Sequence, residues 1–415
     1  MRMNVQEKKR IVVVLGMHRS GTSALTRALV AIGAGVGDNL LPAGHDNPKG
    51  FWEDKDFVTL NDRLLAVLDA SYDSLSLLPD GFECRSDVKE LLLEAVLMLR
   101  EKLAGNDLFA LKDPRTCRLL PFWQLVFSHL DLSVAYVIAV RHPLSVADSL
   151  DKRNQFPTRK SLWLWLQHYS SAINDTNGMP RLFVDYDQLL AEPQQQLQRL
   201  ASWLGLSGHD HDEAIRDYIE SFLSADLRHA TYSADDILLC PQMPALVIQA
   251  YRSLLGATSA SEGPGFDDEW QALSEALRQQ REMLDFLQQY DRLYLELKAE
   301  FKRASEELER ASQQLEHERS LHDDELDRLE QSLVSAKGEL SELRQQAHRE
   351  QAAIRQTGQQ EVNRLQARLS QMEQELQTFR NSKSMRITAP ARALVRLMGS
   401  ASSAAQAKRS LHLAS

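Results

Sequence analysis

The chain has 415 residues, 43% hydrophobic and 26% charged, with a formal net charge of −10. That length predicts two or three domains with a real core, and the acidic balance argues against a nucleic-acid partner. Three cysteines, Cys84, Cys117 and Cys240, are scattered and form no CxxC pair, which excludes a disulfide scaffold or cysteine zinc site and fits a reducing compartment.

Lys8, Lys9 and Arg10 precede an apolar run, but that run is too short for a secretory leader and Arg19 follows too soon. No stretch of about eighteen apolar residues occurs, so no membrane span is expected and the chain reads as cytoplasmic. Ile11 to Leu15 is a short β-branched run, the pattern of a strand buried on both faces. Gly16-Met17-His18-Arg19-Ser20-Gly21 follows as a tight loop, and Leu25, Leu29 and Ile32 then recur at helical spacing. Strand, glycine loop and helix N-terminus together suit a dense anion, because free N–H groups and the positive dipole end point into the loop. Gly16 and Gly21 keep the GxxxxG spacing of a nucleotide loop, yet Thr22 stands where its lysine belongs. The cation lies inside the loop, at Arg19. An internal arginine followed by hydroxyls suits a compact oxyanion without an obligatory metal.

Residues 38–56 are dense in Gly, Pro, Asn and Asp and predict a functional loop. Helical patterning resumes at Phe57–Leu65 and again at Val88–Leu103. A strand at Leu108–Leu111 runs into Lys112-Asp113-Pro114-Arg115. Another, at Val134–Val140, runs into Arg141-His142-Pro143 and a helix carrying Ser145 and Ser149. A fourth, at Arg181–Val184, runs into Asp185-Tyr186-Asp187 and further helix. The alternation predicts an α/β fold with a P-loop-type, doubly wound parallel sheet. Three of the four strands end in basic residues, which places an anion site at the carboxyl edge of the sheet. Trp123, Trp163 and Trp165 read as core. Arg153 and Arg159 flank loop 154–158 and read as solvated surface, with acceptor contact as the alternative.

Between Ser207 and Asp268 the pattern loosens, with SGHDHDE and ATSASEGPG marking linkers; residues 1–235 are assigned to this domain and 236–269 to a linker. From residue 270 to 380, Glu, Gln, Leu, Arg and Ala dominate. Leu297, Phe301, Ala304, Leu308, Ala311 and Leu315, and later Leu365, Leu369, Met372, Leu376 and Phe379, alternate spacings of four and three. That predicts a long α-helical coiled coil, on the order of 160 Å if continuous and interrupted near His322 and Gly358. A homodimer is its default state. Residues 381–415 form a basic amphipathic tail suited to an anionic membrane face, here the inner membrane, or to an assembly partner.

The set GMHRSGTS, NPKGFWE, KDPR and RHPLSVADSL, in that order, resembles the sulfotransferase superfamily that uses 3′-phosphoadenosine-5′-phosphosulfate (PAPS). The likeness is to bacterial carbohydrate-type enzymes, here followed by a coiled coil, and spans roughly residues 10–235. It implies that the loop grips the 5′-phosphosulfate, with Arg19 as principal cation, Ser20, Gly21, Thr22 and Ser23 as donors, and His18 contributing through its backbone. It implies that Arg141 and Ser149 hold the 3′-phosphate and that Lys112 approaches the transferring group. For the general base the segment after the first helix offers Glu53, which lies in the matching NPKGFWE stretch, with His45 and Asp54 behind it. Arg228 and His229 are candidates to close over the nucleotide, and the Asp185–Leu189 turn reads as structural. The tail Ser384-Met385-Arg386-Ile387-Thr388-Ala389-Pro390-Ala391-Arg392 resembles one found in enzymes of cell-surface polysaccharide synthesis, which points to a glycan acceptor. No metal is implied. Two other readings remain open on the residues alone: a P-loop kinase or NTPase, and a non-catalytic coiled-coil scaffold with a vestigial nucleotide site.

Overall fold

The computed structural model describes residues 8–44, 47–206, 211–223, 232–260, 263–333 and 340–381. In chain order the regular elements begin with β1 (Arg10–Leu15), α1 (Thr22–Ala31), α2 (Lys55–Val67), α3 (Lys89–Lys102) and β2 (Leu108–Lys112). Next come α4 (Leu120–His129), β3 (Ser133–Val140), α5 (Pro143–Asn154), α6 (Thr158–Asn174), β4 (Arg181–Asp185), α7 (Tyr186–Ala191) and α8 (Pro193–Trp203). The series ends with α9 (Asp212–Asp217), α10 (Asp236–Leu239), α11 (Ala245–Ala260), α12 (Phe266–Arg278), α13 (Arg281–Leu333) and α14 (Leu340–Asn381).

The four strands form one parallel sheet in the order β2-β1-β3-β4. β1 is central and fully buried beyond Arg10 because both faces of the sheet are covered. Val12 and Val14 pack with Leu25 and Leu29 of α1 and Leu197 and Leu200 of α8. Ile11, Val13 and Leu15 pack in the opposite core with Phe122, Trp123, Trp165 and Tyr169. Every position of the run is therefore apolar, where a one-sided strand would alternate. The chain goes from β1 to β2 on one side and then crosses to β3 on the other. The crevice of this switch opens at the carboxyl end of β1, where the glycine loop stands.

Two expectations from the sequence are corrected here. Residues 236–269 are not a linker, and residue 270 does not open a separate coiled coil: the first compact unit runs to Gln288. Val247, Ala250, Leu254 and Ala257 of α11, and Trp270, Leu273 and Leu277 of α12, are buried in the same core as α6. Their small residues and serines let helices approach closely, with Ser170 bonded to Ser274 at 2.5 Å and Trp270 Nε1 donating to Ser253 Oγ at 3.2 Å. The alanines and serines that read as linker are helix-contact residues.

The second unit, from Gln289, is helical and is not one continuous rod. α13 and α14 are separate helices, and a Cβ placed on Gly358 would stand 3.3 Å from Leu315 Cδ2. Both partners lie 18 residues from the helix ends at Leu333 and Leu340. Two helices whose described ends flank residues 334–339 and that touch again that far along, about 27 Å, run antiparallel. Half-buried Gly358, Val362, Leu365, Leu369 and Met372 keep the four-three spacing. Gly358 is thus where Leu315 seats, not a mere interruption. Among the described residues no helix is long and apolar enough to cross a membrane. The tail beyond Asn381 lies outside the described residues, as do His45, Arg228 and His229.

Candidate active site

The loop after β1 is built for close approach. Gly21 adopts φ 89°, and a Cβ there would lie 2.0 Å from the Tyr186 ring. Arg19 has φ 68°, a left-handed conformation uncommon for a side-chain-bearing residue. Ser20 closes the turn onto the Met17 carbonyl through its N–H at 3.1 Å and its hydroxyl at 2.5 Å. Cys117 Sγ accepts the Gly16 N–H at 3.1 Å from behind, and burial pushes its thiol up to about 12. Gly21 stands at the N-cap of α1, which has no side-chain cap and no acid in its first turn. Its first N–H groups and positive dipole end are left for a ligand.

At the end of β3, Arg141 is 5% exposed. Its Nη1 donates to the Arg19 carbonyl at 2.8 Å, and its guanidinium lies 4.5 Å from the Tyr186 ring centroid. Its Nε has no partner, and among the described residues no carboxylate comes within ion-pair distance of it. Burial accordingly pulls its pKa down. Arg19 Nε donates to Ser149 Oγ at 2.8 Å. The sequence-predicted Arg19, Arg141 and Ser149 therefore converge. Two guanidiniums and a hydroxyl meet beside an uncapped helix start.

The other half of the site lies at the end of β2. Lys112 Nζ donates to Glu53 Oε1, to the Phe51 carbonyl at 2.9 Å and to Ser23 Oγ at 3.4 Å. Ser23 itself donates to the Phe51 carbonyl at 2.9 Å. Loop, strand end and residues 51–53 thus meet at Lys112. Glu53 Oε2 lies 3.9 Å from Arg115 Nη1. Burial raises the Glu53 carboxyl above its ordinary range against the opposing pull of Lys112. Arg115 is ion-paired to Asp113 at 3.0 Å and Asp62 at 2.7 Å. Asp113 also accepts from Asn61 at 2.8 Å, and Asn61 accepts from Trp123 Nε1 at 2.9 Å. The KDPR segment is held by charge on one side and by the core on the other.

A family model described as "Sulfotransferase family" matches residues 12–210. The α/β unit belongs to the sulfotransferase family. Among solved structures, similarity is found to the "Sulfotransferase Domain from the Curacin Biosynthetic Pathway", at 18% identity over 65% of this chain and 98% of that one, TM-score 0.32. The "Sulfotransferase Domain from the Synechococcus PCC 7002 Olefin Synthase" is similar at 19% identity over 66% and 96%, TM-score 0.32. No curated protein matches.

Within this sulfotransferase domain, Asp54 is occupied elsewhere. It caps α2 through the Asp56 N–H at 2.9 Å and pairs with Lys102 at 2.8 Å. Lys102 also pairs with Asp38 and Asp56, so its ammonium fills the centre of that acidic cluster. The His18 ring packs edge-on to Tyr72 at 5.2 Å and to His168 at 5.9 Å. Burial and Arg115 hold its pKa well below the usual value, so it is neutral. The sequence reading missed Tyr72, a half-buried ring under the Arg115 guanidinium at 5.6 Å. Tyr72 stacks near Phe156 at 6.5 Å and receives Asn154 Nδ2 on its hydroxyl at 3.1 Å. It also missed Tyr186, whose turn read as structural. Asp185 does cap α7 at 2.8 Å, but the neighbouring ring is both the floor under Gly21 and the face beneath Arg141. No periodicity marks either tyrosine; each owes its place to long-range packing.

Proposed function

We propose that the protein transfers a sulfuryl group from PAPS to a hydroxyl of a carbohydrate or cell-surface glycan. The observation that carries this reading is Arg141: a desolvated guanidinium with an orphaned Nε, no carboxylate, and an uncapped helix start beside it. A buried cation in that state is stabilised by an anion from outside. The donor fits, with its 3′-phosphate on Arg141 and Ser149 and its 5′-phosphosulfate on residues 18–23, chiefly Arg19, Ser20, Gly21, Thr22 and Ser23. PAPS supplies the activated sulfuryl group, whose bond to the phosphate oxygen breaks as the acceptor oxygen bonds to sulfur.

The remaining work falls to the chain. Glu53 takes the acceptor hydroxyl's proton, and its raised pKa brings its basicity closer to neutral pH. Lys112 keeps the Glu53 carboxylate charged in a buried setting and, with Arg19, supplies positive charge where negative charge develops. As in phosphoryl transfer, positioning and fixed charge account for most of the catalysis. On the acceptor side, Tyr72 and Phe156 offer half-buried ring faces edged by Arg115, Asn154 and Lys160. An apolar face with polar groups at its rim suits a sugar ring. The helical arm is proposed to associate with a second copy, and the basic tail to dock on a membrane face or partner.

Incubation with PAPS labelled in its sulfuryl group and a panel of polysaccharides tests the reaction. Label fixed on one glycan, suppressed by adenosine 3′,5′-bisphosphate, is expected. Label that leaves PAPS for none of them, with ATP–Mg²⁺ turned over instead, would contradict it.

A further inference from the structure

The tyrosine wall of the site is held from the side opposite the P-loop. Residues 70–78 carry Tyr72 and Asp73 and have no helix or strand of their own, yet their backbone is satisfied from three directions. Arg118, 6% exposed, donates to the carbonyls of Ser74 at 2.9 Å and Ser76 at 2.8 Å. Gln167 of α6 donates to the Leu75 carbonyl at 2.5 Å. Gln288 of α13, 8% exposed, accepts the Leu75 N–H at 2.5 Å, and Arg281 donates to the Leu77 carbonyl at 3.3 Å. Leu75 is pinned through both its N–H and its carbonyl, and one pin belongs to the first turns of the long helix. Leu284, between the two α13 contacts, is fully buried in the main core.

We propose that Gln288 is a positioning residue for the acceptor site: through the Leu75 N–H it fixes residues 71–78 and hence the Tyr72 ring beside Arg115 and His18. The base of α13 is then a working part of the catalytic unit. A buried amide that loses its acceptor drives its segment to open towards water, because an unsatisfied donor is worse than a rearranged loop. Asp73 bonded to Lys160 at 2.8 Å and Asn154 on Tyr72 tie the same segment to the ends of α5 and α6. Loosening at Leu75 therefore reaches the ring, whereas the P-loop backbone, though His18 touches that ring, is held separately by the bonds of Ser20 to the Met17 carbonyl and of the Gly16 N–H to Cys117 Sγ. That Tyr72 lines the acceptor side rests on the proposed function, while the clasp itself does not.

The test is hydrogen exchange on the full chain, comparing wild type with Gln288→Leu and Gln288→Glu. The Leu variant removes the acceptor at similar volume, whereas Glu keeps an oxygen for the Leu75 N–H. In the Leu variant, exchange across 71–78 is expected to rise about tenfold or more, with residues 16–23 unchanged and adenosine 3′,5′-bisphosphate affinity within about twofold. Glu is expected to restore protection, and Arg281→Met to loosen the same segment more weakly. Unchanged protection at 71–78 in the Leu variant would overturn the proposal. So would general loosening that Glu does not rescue. If the wild type fails to bind the bisphosphate, the donor assignment falls while the exchange result still decides the clasp.

Discussion

Two arginines stand at the carboxyl edge of the sheet, after the strands on either side of β1, and have opposite surroundings. Arg115, after β2, is held by Asp113 and Asp62 and stands near Glu53, and these carboxylates raise its pKa despite burial. Arg141, after β3, has a carbonyl and an aromatic face but no carboxylate, and burial lowers its pKa. Arg118 shows that burial without a carboxylate is not by itself a sign of a ligand, since backbone carbonyls take up its donors. The distinction is charge and hydrogen-bond balance. Arg115 is satisfied within the fold and orders it; Arg141 keeps an orphaned donor beside a helix start that faces outward.

The balanced half holds the base, so the largest effect is expected there. Glu53→Gln should cut turnover by about 10²- to 10⁴-fold while bisphosphate affinity changes little, as steady-state kinetics beside a binding titration would show. Because burial raises the Glu53 pKa, wild-type activity should fall as pH drops through a value above the ordinary carboxylate range. That acid limb should vanish in the Gln variant. An acid limb of unchanged position would assign the base elsewhere.

The same contrast separates the arginines by stability. Arg115→Met leaves buried carboxylates without their cation and should cost about 3 kcal/mol in denaturant unfolding. Arg141→Met removes a desolvated, unpaired charge, so without nucleotide it should leave stability unchanged or raise it by about 1 kcal/mol. Equal losses in the two variants would remove the distinction.

How far the sequence revealed this contrast depends on what fixed each residue. The fully apolar run Ile11–Leu15, its glycine loop and the strand-ending Lys112 and Arg141 could be read directly, because strand period and loop chemistry are local. Ser149 was singled out through the resemblance carried by RHPLSVADSL, and its helical distance from Arg141 is compatible with that role. Tyr72 could not be read, since residues 70–78 have no period and are placed by Arg118, Gln167 and Gln288, up to 213 residues away. α11 was mistaken for linker because its alanines and serines resemble loop composition, although Val247, Ala250, Leu254 and Ala257 recur at three and four. Heptad spacing revealed helices but not their folding back, which shows only in the long-range contact of Leu315 with Gly358.

A smaller effect concerns a group outside both arginine sites. Asp175, at the end of α6, has its pKa raised to about 7, first by burial and then by Glu83. The native state therefore holds its proton more tightly than the unfolded chain. Stability from this group is present below about pH 4 and is lost as pH rises towards about 7. Asp175→Asn should raise the melting temperature by about 3 °C or more at pH 8 and leave it nearly unchanged at pH 4. A gain independent of pH would point to packing instead.

The central claim is that Arg141 is kept unpaired for a nucleotide's 3′-phosphate. Calorimetric titration of the full chain with adenosine 3′,5′-bisphosphate, beside ATP–Mg²⁺ and with Arg141→Ala as the comparison, tests it directly. The account predicts bisphosphate binding that ATP does not match and that the Ala variant weakens about a hundredfold. Equal binding by wild type and Ala variant, or preference for ATP–Mg²⁺, would contradict it.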